Sequence, residues 1–413
     1  MWRAIASVGI IVVLFSAPAF AATFTVTKTT DTADGTCDAD CSLREAVIAA
    51  NAALGADMIV LGAGTFTLSI AGTGEDGSLT GDLDIGDSVT IQGAGMTATI
   101  IDAAGIDRVF HVEDTPATFL DLTITGGLIN GDGGGILSNI GNVTIERCSI
   151  TNNTAVAGGG IESTSSSSLT IRDSAITNNV ANPGDGGGIR NSTADMLIER
   201  TLISGNSALP SEEGGGISTS HNPATVTLIN CTLSGNAADQ GGGMAIGSGS
   251  VTMIHCTFSG NTSNSSDGIE NRSGPNSLLP TNSIFDDNCS DFLNTTSGGG
   301  NIETGDTCGL TIPIDQVIVT PAALNLGPLA DNGGPTLTHA LLPGSVALDS
   351  ALASACEAVD QRGIVRPQGP GCDVGAYEAD ATIPIPAVEP RFLVLLGALL
   401  SVVAIAAISL RRP

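Results

Sequence analysis

The sequence predicts an all-β protein, a right-handed parallel β-helix whose rungs each hold three short strands in about 25–30 residues. Three observations lead to this fold class. Glycine triplets begin at Gly133, Gly158, Gly186, Gly214 and Gly241, and four of them are followed by isoleucine. Each triplet precedes short stretches in which apolar and polar residues alternate, the period of a strand with one buried face. No unit has the long 3.6-residue periodicity of a helical repeat, so the repeats should coil strands into a solenoid.

The alternation assigns an inward and an outward side to each strand of a rung. Val143 and Ile145 should point inward and Thr144 outward, and Cys148 and Ile150 should again point inward. One rung cannot bury its apolar face alone, so neighbouring rungs are expected to stack roughly 4.8 Å apart. This stacking predicts two inward columns: Ile145, Ile171, Ile198, Leu228 and Met253, and then Ile150, Ile176, Ile203, Leu233 and Phe258.

A turn asparagine recurs once in each rung. The predicted column contains Asn153, Asn179, Asn206, Asn236, Asn261 and Asn288. Side-chain amides can bond the next amide of the column or the turn backbone, so a stabilising ladder is the first interpretation. A ligand-binding role is the second. The glycine triplets are expected at a tight corner that needs positive φ or close backbone approach.

Acidic residues precede three of the glycine triplets, at Asp132, Asp185 and Glu213. Carboxylates on adjacent rungs could share a hard cation such as Ca²⁺, which prefers oxygen ligands. Solvated turn charges would explain the same column. Whether this acidic column binds a cation stays open at this stage, and no other cofactor is predicted.

Composition narrows the classes of partner. The formal net charge is −28, the calculated pI is about 4.1, and Lys28 is the only lysine. Nucleic acid is therefore excluded as a predicted partner, because its phosphates require a basic surface. Aromatic residues make up 3% of the chain and glycine occurs 54 times, a composition that suits thin strands and tight corners better than a large globular core.

Residues 1–21 are predicted to be a secretory signal peptide. Arg3 supplies the positive charge, residues 10–15 form the apolar centre, and residues 19–21 give a small-x-small cleavage site. The mature chain would then enter an oxidising compartment with all nine cysteines.

Position along the chain sorts these cysteines into two groups. Three local pairs are plausible disulfides: Cys37 with Cys41, Cys289 with Cys308, and Cys356 with Cys372. The other three, Cys148, Cys231 and Cys256, fall in one inward column. Cys148 and Cys231 would lie about 14 Å apart, too far for a disulfide. Cys231 and Cys256 lie on neighbouring rungs, so either a bond or simple packing is open to them.

A helix is predicted inside an N-terminal cap assigned to residues 22–57. Ser42 and Glu45 have the spacing of a capping box. A short amphipathic helix held by Cys37 and Cys41 would cover the exposed edge of the first rung. The apolar positions with helical spacing are Leu43, Ala46, Val47, Ala50 and Leu54.

Two sets of motifs are similar to known families. The string from Thr36 to Ala46, TCDADCSLREA, resembles the CSLREA motif that opens many bacterial surface β-helix proteins. The Gly-Gly-Gly-Ile elements and the string from Phe258 to Asn261 resemble the GGxI and FxxN repeats of polymorphic outer-membrane proteins. This resemblance covers most of the mature chain and implies β-helix repeats over residues 58–310.

Residues 311–378 are of another kind and resemble the choice-of-anchor module. The matching strings are NGGPT at 332–336, DQRG at 360–363 and DVGAYE at 373–378. The resemblance implies a module that follows the repeats and precedes an anchoring signal. Its charged residues offer either an active site or paired charges that close the C-terminal edge, and we expect paired charges. They are Asp360, Arg362, Arg366, Asp373 and Glu378.

The C-terminal tail is predicted to reach a membrane. Residues 379–390 form a Pro-rich linker, and residues 391–413 a transmembrane helix or a sorting signal. The apolar run 392–410 has the minimum length of a spanning helix, and Arg411 and Arg412 should stay cytoplasmic. The tail resembles an exosortase-type sorting signal, although that family has Pro-Glu-Pro where this chain has Val388-Glu389-Pro390. A retained membrane anchor is the other interpretation.

Parallel β-helices often bind or cleave polysaccharide, so an enzyme must be considered. A reaction of the pectate-lyase type needs a cation and a base such as arginine or lysine. The outward columns alternate in charge like a solvated face, and the four histidines are scattered along the sequence. No catalytic, cofactor or metal residue is therefore assigned. One column holds Arg147, Asp173, Arg200, Asn230 and His255, and its neighbour holds Glu146, Arg172 and Glu199.

The sequence thus favours a secreted, surface-anchored, non-catalytic β-helix of the bacterial cell envelope. Its hydroxyl-rich acidic face would contact an extracellular or surface polysaccharide, and residues 392–410 would hold it in the membrane at least transiently. A secreted polysaccharide lyase or hydrolase is the alternative. A purely structural spacer differs from the first hypothesis only by lacking a ligand.

Overall fold

The computed structural model describes residues 21–380 apart from gaps at 165–167, 193, 220–224, 272–275 and 291–294. The chain divides into two compact units, residues 1–379 and 380–413, and the first is the one described. Nearly all of the predicted signal peptide, most of the linker and the whole terminal apolar segment lie outside the described residues. No helix within the described ranges is long and apolar enough to cross a membrane, so the terminal helix remains a prediction.

Three long sheets form the walls of a solenoid, and every strand pairing within them is parallel. Sheet A contains β1 (Thr23–Thr25), β2 (Asp57–Val60), β5 (Val89–Gln92), β8 (Ala117–Leu120), β11 (Val143–Glu146), β15 (Ser168–Arg172), β19 (Asp195–Glu199), β23 (Thr225–Ile229), β27 (Ser250–Ile254) and β30 (Ser277–Thr281). Sheet B contains β3 (Gly64–Thr67), β6 (Thr99–Asp102), β9 (Thr123–Thr125), β12 (Ser149–Thr151), β16 (Ala175–Thr177), β20 (Leu202–Ser204), β24 (Thr232–Ser234), β28 (Thr257–Ser259), β31 (Ile284–Phe285) and β33 (Ile302–Glu303). Sheet C contains β4 (Leu83–Ile85), β7 (Phe110–Val112), β10 (Ile136–Ser138), β14 (Ile161–Ser163), β18 (Ile189–Asn191), β22 (Ile217–Thr219), β26 (Met244–Ile246), β29 (Ile269–Asn271) and β32 (Cys289–Ser290).

Smaller elements complete the described chain. Sheet D runs beside the corner between sheets B and C and contains β13 (Thr154–Ala155), β17 (Val180–Ala181), β21 (Ser207–Glu213) and β25 (Ala237–Gln240). Sheet E is an antiparallel pair, β34 (Leu326–Ala330) and β35 (Thr338–Leu341). The helices are α1 (Leu43–Ala52), α2 (Pro321–Leu324) and a 3₁₀ turn at Ala353–Ala355.

The predicted fold and both inward columns are confirmed by strand register. Ile171 pairs with Ile198 in sheet A, and Ile176 pairs with Ile203 in sheet B. Both columns are fully buried from end to end. Each inward side chain therefore packs between its equivalents in the rungs above and below, which is how three-residue strands bury a continuous core.

The glycine triplets occupy the corner that leads into sheet C. The first glycine of each triplet has positive φ, for example +68° at Gly133 and +59° at Gly158. At the third position of one triplet, a Cβ on Gly160 would lie 2.6 Å from the backbone oxygen of Gly188 in the next rung. Both expected reasons for glycine, positive φ and close backbone approach, therefore apply here.

The asparagine ladder is confirmed, except at its C-terminal end. The Asn179 side-chain amide donates to Asn206 Oδ1 at 3.0 Å and to the Ile150 carbonyl at 2.9 Å, and the pattern repeats in neighbouring rungs. The last member is Asp287 rather than Asn288, because Asp287 Oδ2 accepts the Asn261 amide at 2.6 Å. The prediction of Asn288 is therefore wrong by one residue. The terminal position needs only an acceptor, and an aspartate carboxylate supplies one.

The predicted N-terminal helix exists, with its capping box. Ser42 Oγ accepts from the Glu45 amide, and Glu45 Oε2 accepts from the Ser42 amide at 2.8 Å. The helix ends at Ala52, so the assignment of Leu54 to its apolar face is wrong, and that side chain is exposed. Strand β1 lies inside the segment assigned to the cap, yet it already pairs with β2 in sheet A.

The cysteines follow the predicted division. Disulfides join Cys37 to Cys41, Cys289 to Cys308 and Cys356 to Cys372. The three solenoid cysteines, Cys148, Cys231 and Cys256, are reduced and buried. Burial raises the pKa of Cys148 to about 12 and raises the pKa of Cys231, so these thiols act as small packing groups rather than as nucleophiles.

The module after the last rung packs along the side of the solenoid. Asn230 donates to the Val359 carbonyl at 2.9 Å, and Thr257 Oγ1 accepts from the Ala376 amide at 3.0 Å. Thr257 lies on the outward face of sheet B, and Asn230 lies at the corner that leads into β24, so both contacts are made two or three rungs before the end of that sheet. The sequence predicted that this module closes the C-terminal edge of the solenoid, whereas these contacts are made along its side. The chain turns back because apolar side chains on the outward face of sheet B, such as Ile284, need cover.

Candidate functional site

Sheet A provides a long open face in the described residues. Its outward positions stay half-exposed along the strands from β5 to β27, while the inward positions are buried. Sheet B, in contrast, is buried on both sides at β24 and β28, and sheet C is buried on both sides at β22 and β26. One outward column of sheet A is rich in threonine: Thr90, Thr118, Thr144, Thr170, Thr227 and Thr252.

The charged columns beside this face form ion pairs between rungs. Arg147 donates two hydrogen bonds to Asp121, at 2.7 and 2.9 Å, and Arg200 does the same to Asp173, at 2.7 and 2.8 Å. Arg172 pairs with Glu199. Hydrogen bonding to Asp121 and Asp173 raises the pKa of Arg147 and of Arg200. A lyase base needs a lowered pKa, so this geometry opposes the function that the sequence allowed for these arginines.

The two remaining members of the outward column lie beneath the C-terminal module. His255 Nε2 lies 3.1 Å from the Ala355 carbonyl oxygen, and Asn230 Oδ1 accepts from Arg366 at 3.3 Å. Burial, followed by the nearby charge of Arg366, lowers the pKa of His255 to about 3. The imidazole is therefore neutral and enclosed at neutral pH, which suits a structural contact between solenoid and module.

The charges of that module pair with one another, as expected. Arg366 donates to Glu378 at 2.9 Å and to the Gly375 carbonyl at 2.7 Å, and Arg362 pairs with Asp360 at 2.8 Å. Burial raises the pKa of Asp373 to about 6. Arg366, Asp360 and Glu378 are almost fully enclosed, so a substrate could not reach them. The cluster holds the module together.

The acidic turn column is partly assembled. Asp185 Oδ1 accepts a hydrogen bond from the Glu213 backbone amide at 3.0 Å, so these two residues lie on adjacent rungs as expected. Asp132 forms a single bridge with Ala157. Two groups of three close potential metal ligands occur in the described part of the chain, and neither contains a member of this column. Cation binding at Asp132, Asp185 and Glu213 therefore remains a prediction.

Both of those ligand groups share His111, in a cleft of about 220 Å³ beside sheet C. Asp82, Asp84 and His111 form the inner group, and their ligand atoms all lie within 4.8 Å of one another. Asp76, His111 and Glu113 form the outer group. Asp84 and His111 are register partners on β4 and β7, and the loop before β4 supplies Asp82. The cleft is the candidate functional site.

The N-terminal helix positions this loop. Arg44, on the first turn of α1, is fully buried and forms a two-bond ion pair with Asp31, at 2.7 and 3.1 Å. Its guanidinium also donates to the carbonyl oxygens of Gly81 at 2.8 Å and Asp82 at 3.2 Å. Gly81 has φ of +66°, and a Cβ there would lie 2.5 Å from the Gly72 carbonyl oxygen, so the loop needs glycine at this point.

Hydrogen bonds with Ser78 orient Asp84. The Ser78 amide donates to Asp84 Oδ2 at 2.9 Å, and the Asp84 amide donates to Ser78 Oγ at 2.7 Å. Asp84 Oδ1 then faces His111 Nδ1 at 3.3 Å. On the other side of the imidazole, His111 Nε2 lies 2.7 Å from the Asn139 side-chain amide. The aspartate and the imidazole are therefore held before any ligand arrives.

The cleft carries an excess of negative charge. Arg108 Nε lies 3.1 Å from Asp82 Oδ2, and Asp107 and Glu113 lie nearby. Burial, followed by the charge of Asp84, raises the pKa of Asp82 to about 7. Burial also raises the pKa values of Asp107 and Glu113. One arginine beside several carboxylates leaves a site that attracts cations.

Sequence reasoning missed this site. It noted four histidines scattered along the sequence and assigned no metal ligand, whereas the structure brings His111 together with Asp82 and Asp84. The rungs concerned precede the first glycine triplet, so they fell outside the repeat used to assign register. A signal was present, however. The strings Leu83-Asp84-Ile85 and Phe110-His111-Val112 each place one polar residue between two apolar ones, as a one-sided strand does.

The fold and its walls define the class of protein: a right-handed parallel β-helix. A family model described as the right-handed beta helix region matches residues 88–258. A solved structure, that of the pectate lyase Pel9A, is similar with 16% identity and a TM-score of 0.49, and the match covers 87% of this chain and 96% of that one. A likeness at that level carries no argument about activity. Comparison with curated proteins gave no match.

Proposed function

We propose that the protein is a secreted, surface-anchored β-helix that contacts an extracellular or surface polysaccharide without cleaving it. The observation that carries this proposal is the open face of sheet A, where threonines lie beside arginines that are all engaged in ion pairs between rungs. Arg147, Arg172 and Arg200 are the arginines concerned. Among the described residues, this face therefore presents hydroxyl groups, and each of its three arginines is already paired with a carboxylate.

The dimensions of the face suit an extended polymer. Seven strands from β5 to β27 span roughly 29 Å at the usual spacing between strands. Threonine hydroxyls occur on six of these seven strands, with Leu197 in their place on β19, and each can donate and accept a hydrogen bond, as sugar hydroxyls do. The side chains of this central column are uncharged, so binding would depend on many weak contacts along the chain of the ligand.

We expect residues 22–378 to bind an extracellular polysaccharide and to leave it intact at neutral pH. Replacing Thr144 and Thr170 together by valine should weaken binding roughly tenfold, because two hydrogen bonds of about 0.5–1.5 kcal/mol each are lost. A glycan array followed by titration of the best ligand measures this. The matched control is the pair Thr125→Val with Thr151→Val, on the outward face of sheet B.

Cleavage is tested in the same samples. Incubation with pectate, alginate or the bound glycan should produce no unsaturated or reducing ends, with or without Ca²⁺. Products that disappear in Arg172→Ala or Arg200→Ala would replace the binding proposal with the lyase alternative. Equal loss of binding in the Thr144 and Thr125 pairs of variants would remove sheet A as the binding face.

A lyase or hydrolase is the second candidate, and the carboxylates of the cleft are the observation that favours it. Two points weigh against it. Asp84 is only 1% exposed, so a sugar ring cannot reach it. The ligand atoms of Asp82 and Asp84 lie within 4.8 Å, closer than the spacing of about 5–9.5 Å at which glycosidase carboxylates flank a glycosidic bond. The spacing of Asp82, Asp84 and His111 suits a bound ion better than a sugar ring.

Membrane attachment is the other part of the proposal, and it rests on the apolar run 392–410 with the arginines that follow. Deleting residues 391–413 should release the protein in soluble form, since about 19 apolar residues are the minimum for a spanning helix. Fractionation of cells that express either form measures this. A deletion variant that stays with the membranes would contradict the assignment. Mass spectrometry of the native C-terminal peptide separates a sorting signal, which ends before Phe392, from a retained anchor.

A further inference from the structure

We infer that Asp82, Asp84 and His111 bind one divalent transition-metal ion, with Zn²⁺ as the best fit. This inference goes beyond polysaccharide contact and does not depend on it. An imidazole with two carboxylates is a ligand set that suits zinc, whereas calcium and magnesium favour oxygen ligands alone. The site thus differs in chemistry from the calcium site considered for the acidic turn column.

The spacing of the ligand atoms matches such an ion. Two ligands bonded at 2.0–2.1 Å to a tetrahedral zinc ion lie roughly 3.3 Å apart. Asp84 Oδ1 and His111 Nδ1 lie 3.3 Å apart, and the ligand atom of Asp82 lies within 4.8 Å of both. A modest turn of the Asp82 side chain would therefore complete three protein ligands, with the cleft open for a fourth from solvent.

Asp84 supplies an independent indication of a ligand. The residue is 99% buried, and Oδ2 is held by the Ser78 amide, whereas Oδ1 accepts no hydrogen bond and has only the ion-pair contact with His111 Nδ1 at 3.3 Å. A buried carboxylate oxygen without a donor costs free energy comparable to a lost charged hydrogen bond. A cation between Asp84 and His111 removes this cost, because it replaces the missing donor at the point where Oδ1 is aimed.

The surroundings of His111 also fit a metal ligand. A ligating histidine normally donates its other ring N–H to an oxygen acceptor, which fixes the ring and its tautomer. Asn139 lies 2.7 Å from Nε2, and turning its amide by 180° places Oδ1 there as the acceptor. Nδ1 is then free to bind the ion beside Asp84. Arg108, which contacts Asp82, would balance the remaining negative charge.

The site is also built in advance. Arg44 holds the carbonyl oxygens of the loop that carries Asp82, and Ser78 holds Asp84 from both sides. An ion at this point would join β4, β7 and that loop. Binding should therefore stabilise the first rungs against unfolding, because an ion that binds only the folded state shifts the equilibrium towards it.

The test uses the full chain in mild detergent, freed of metal and titrated with Zn²⁺ by calorimetry. We expect one Zn²⁺ per chain, binding of Ca²⁺ that is weaker by roughly 100-fold or more, and a higher Tm with Zn²⁺. His111→Gln and Asp82→Asn should each weaken Zn²⁺ binding by at least roughly tenfold and abolish the Tm shift. The control Asp185→Asn, which keeps an acceptor for the Glu213 amide, should bind Zn²⁺ like the unsubstituted chain.

A spectroscopic measurement on the unsubstituted chain tests the inference even if the variants fail to fold. Zinc X-ray absorption should show one nitrogen ligand from imidazole and oxygen for the rest. Absence of Zn²⁺ binding by the folded chain, or an all-oxygen shell, would overturn the inference. So would binding that survives both His111→Gln and Asp82→Asn. Binding that is lost in Asp76→Asn or Glu113→Gln but kept in Asp82→Asn would assign the ion to the outer group instead.

Discussion

Replacing Ile198 by aspartate is expected to unfold several rungs of the solenoid. Ile198 is fully buried and pairs with Ile171 on one side and Leu228 on the other. Removing a buried isoleucine costs about 2–5 kcal/mol, and an unpaired carboxylate in the same place adds several more. The total is comparable to the whole free energy of unfolding of many domains, about 5–15 kcal/mol.

The damage should spread along the solenoid axis, since each rung is stabilised mainly by its nearest neighbours. Hydrogen exchange measured by mass spectrometry resolves this spread. Amides of β15, β19 and β23 should lose protection first, followed by the strands that pair with them. A global loss of stability without this gradient would argue against nearest-neighbour stacking.

Thr170→Asp is the matched control, because it places the same side chain one position earlier in the equivalent strand of the preceding rung. Thr170 faces outward and is half-exposed, between Thr144 and Leu197. Its replacement should cost about 1 kcal/mol or less, the span of strand propensities at an exposed site. Equal destabilisation by the two substitutions would refute the register of sheet A.

Replacing Arg366 by methionine is expected to release the C-terminal module from sheet B. The Arg366 guanidinium is fully buried and donates to Glu378, Asp373 and Gly375, and to Asn230 of the solenoid. Removing one partner of a buried pair typically costs about 3–5 kcal/mol, because the other charge stays enclosed without compensation. Here that charge is Glu378, which is almost fully enclosed.

Limited proteolysis and hydrogen exchange measure this release. In Arg366→Met, cleavage should appear within residues 320–379, while the inward columns of the solenoid keep their protection. Arg172→Met is the matched control, because it removes an arginine from a half-exposed ion pair with Glu199 and should cost about 0–1 kcal/mol. If the module is equally protected from proteolysis and hydrogen exchange in both variants, the structural role assigned to Arg366 is contradicted.

Much of the fold could be predicted because each rung repeats the same local pattern. The alternation around Ile145 and Ile150 shows which face of each strand is buried. Because side chains alternate with a period of two, a shift of one residue would expose every apolar side chain of the strand. The disulfides at Cys37, Cys289 and Cys356 followed from short separations in sequence. The error at Asn288 has the same origin, since the repeat weakens there and nothing local distinguishes that asparagine from the preceding Asp287.

The metal-ligand cluster could not be predicted, because its members belong to different rungs and to a loop. Asp82 and Asp84 are close in sequence, but His111 is their neighbour only through the pairing of β4 with β7. The role of Arg44 was hidden for the same reason, since its contacts with Gly81 and Asp82 cross more than 30 residues of sequence. Pairing between distant strands depends on their register. The early rungs lack the glycine triplets that were used to align the later rungs, so their register could not be assigned from the sequence.

Short-range periodicity and spacing were enough to predict the class of fold, the direction of the side chains in the repeat columns and three plausible local cysteine pairs, whereas a bond between Cys231 and Cys256 stayed open until the structure showed both thiols free. Contacts between distant segments of the folded chain determine which wall of the solenoid stays open. Residues 320–379 return onto the outward face of sheet B and cover part of it. The glycine corners lie close against the outward residues of sheet C. The threonine face of sheet A remains accessible. The physical reason is that burial of an outward face depends on contacts between segments far apart in the chain, and no local pattern encodes them.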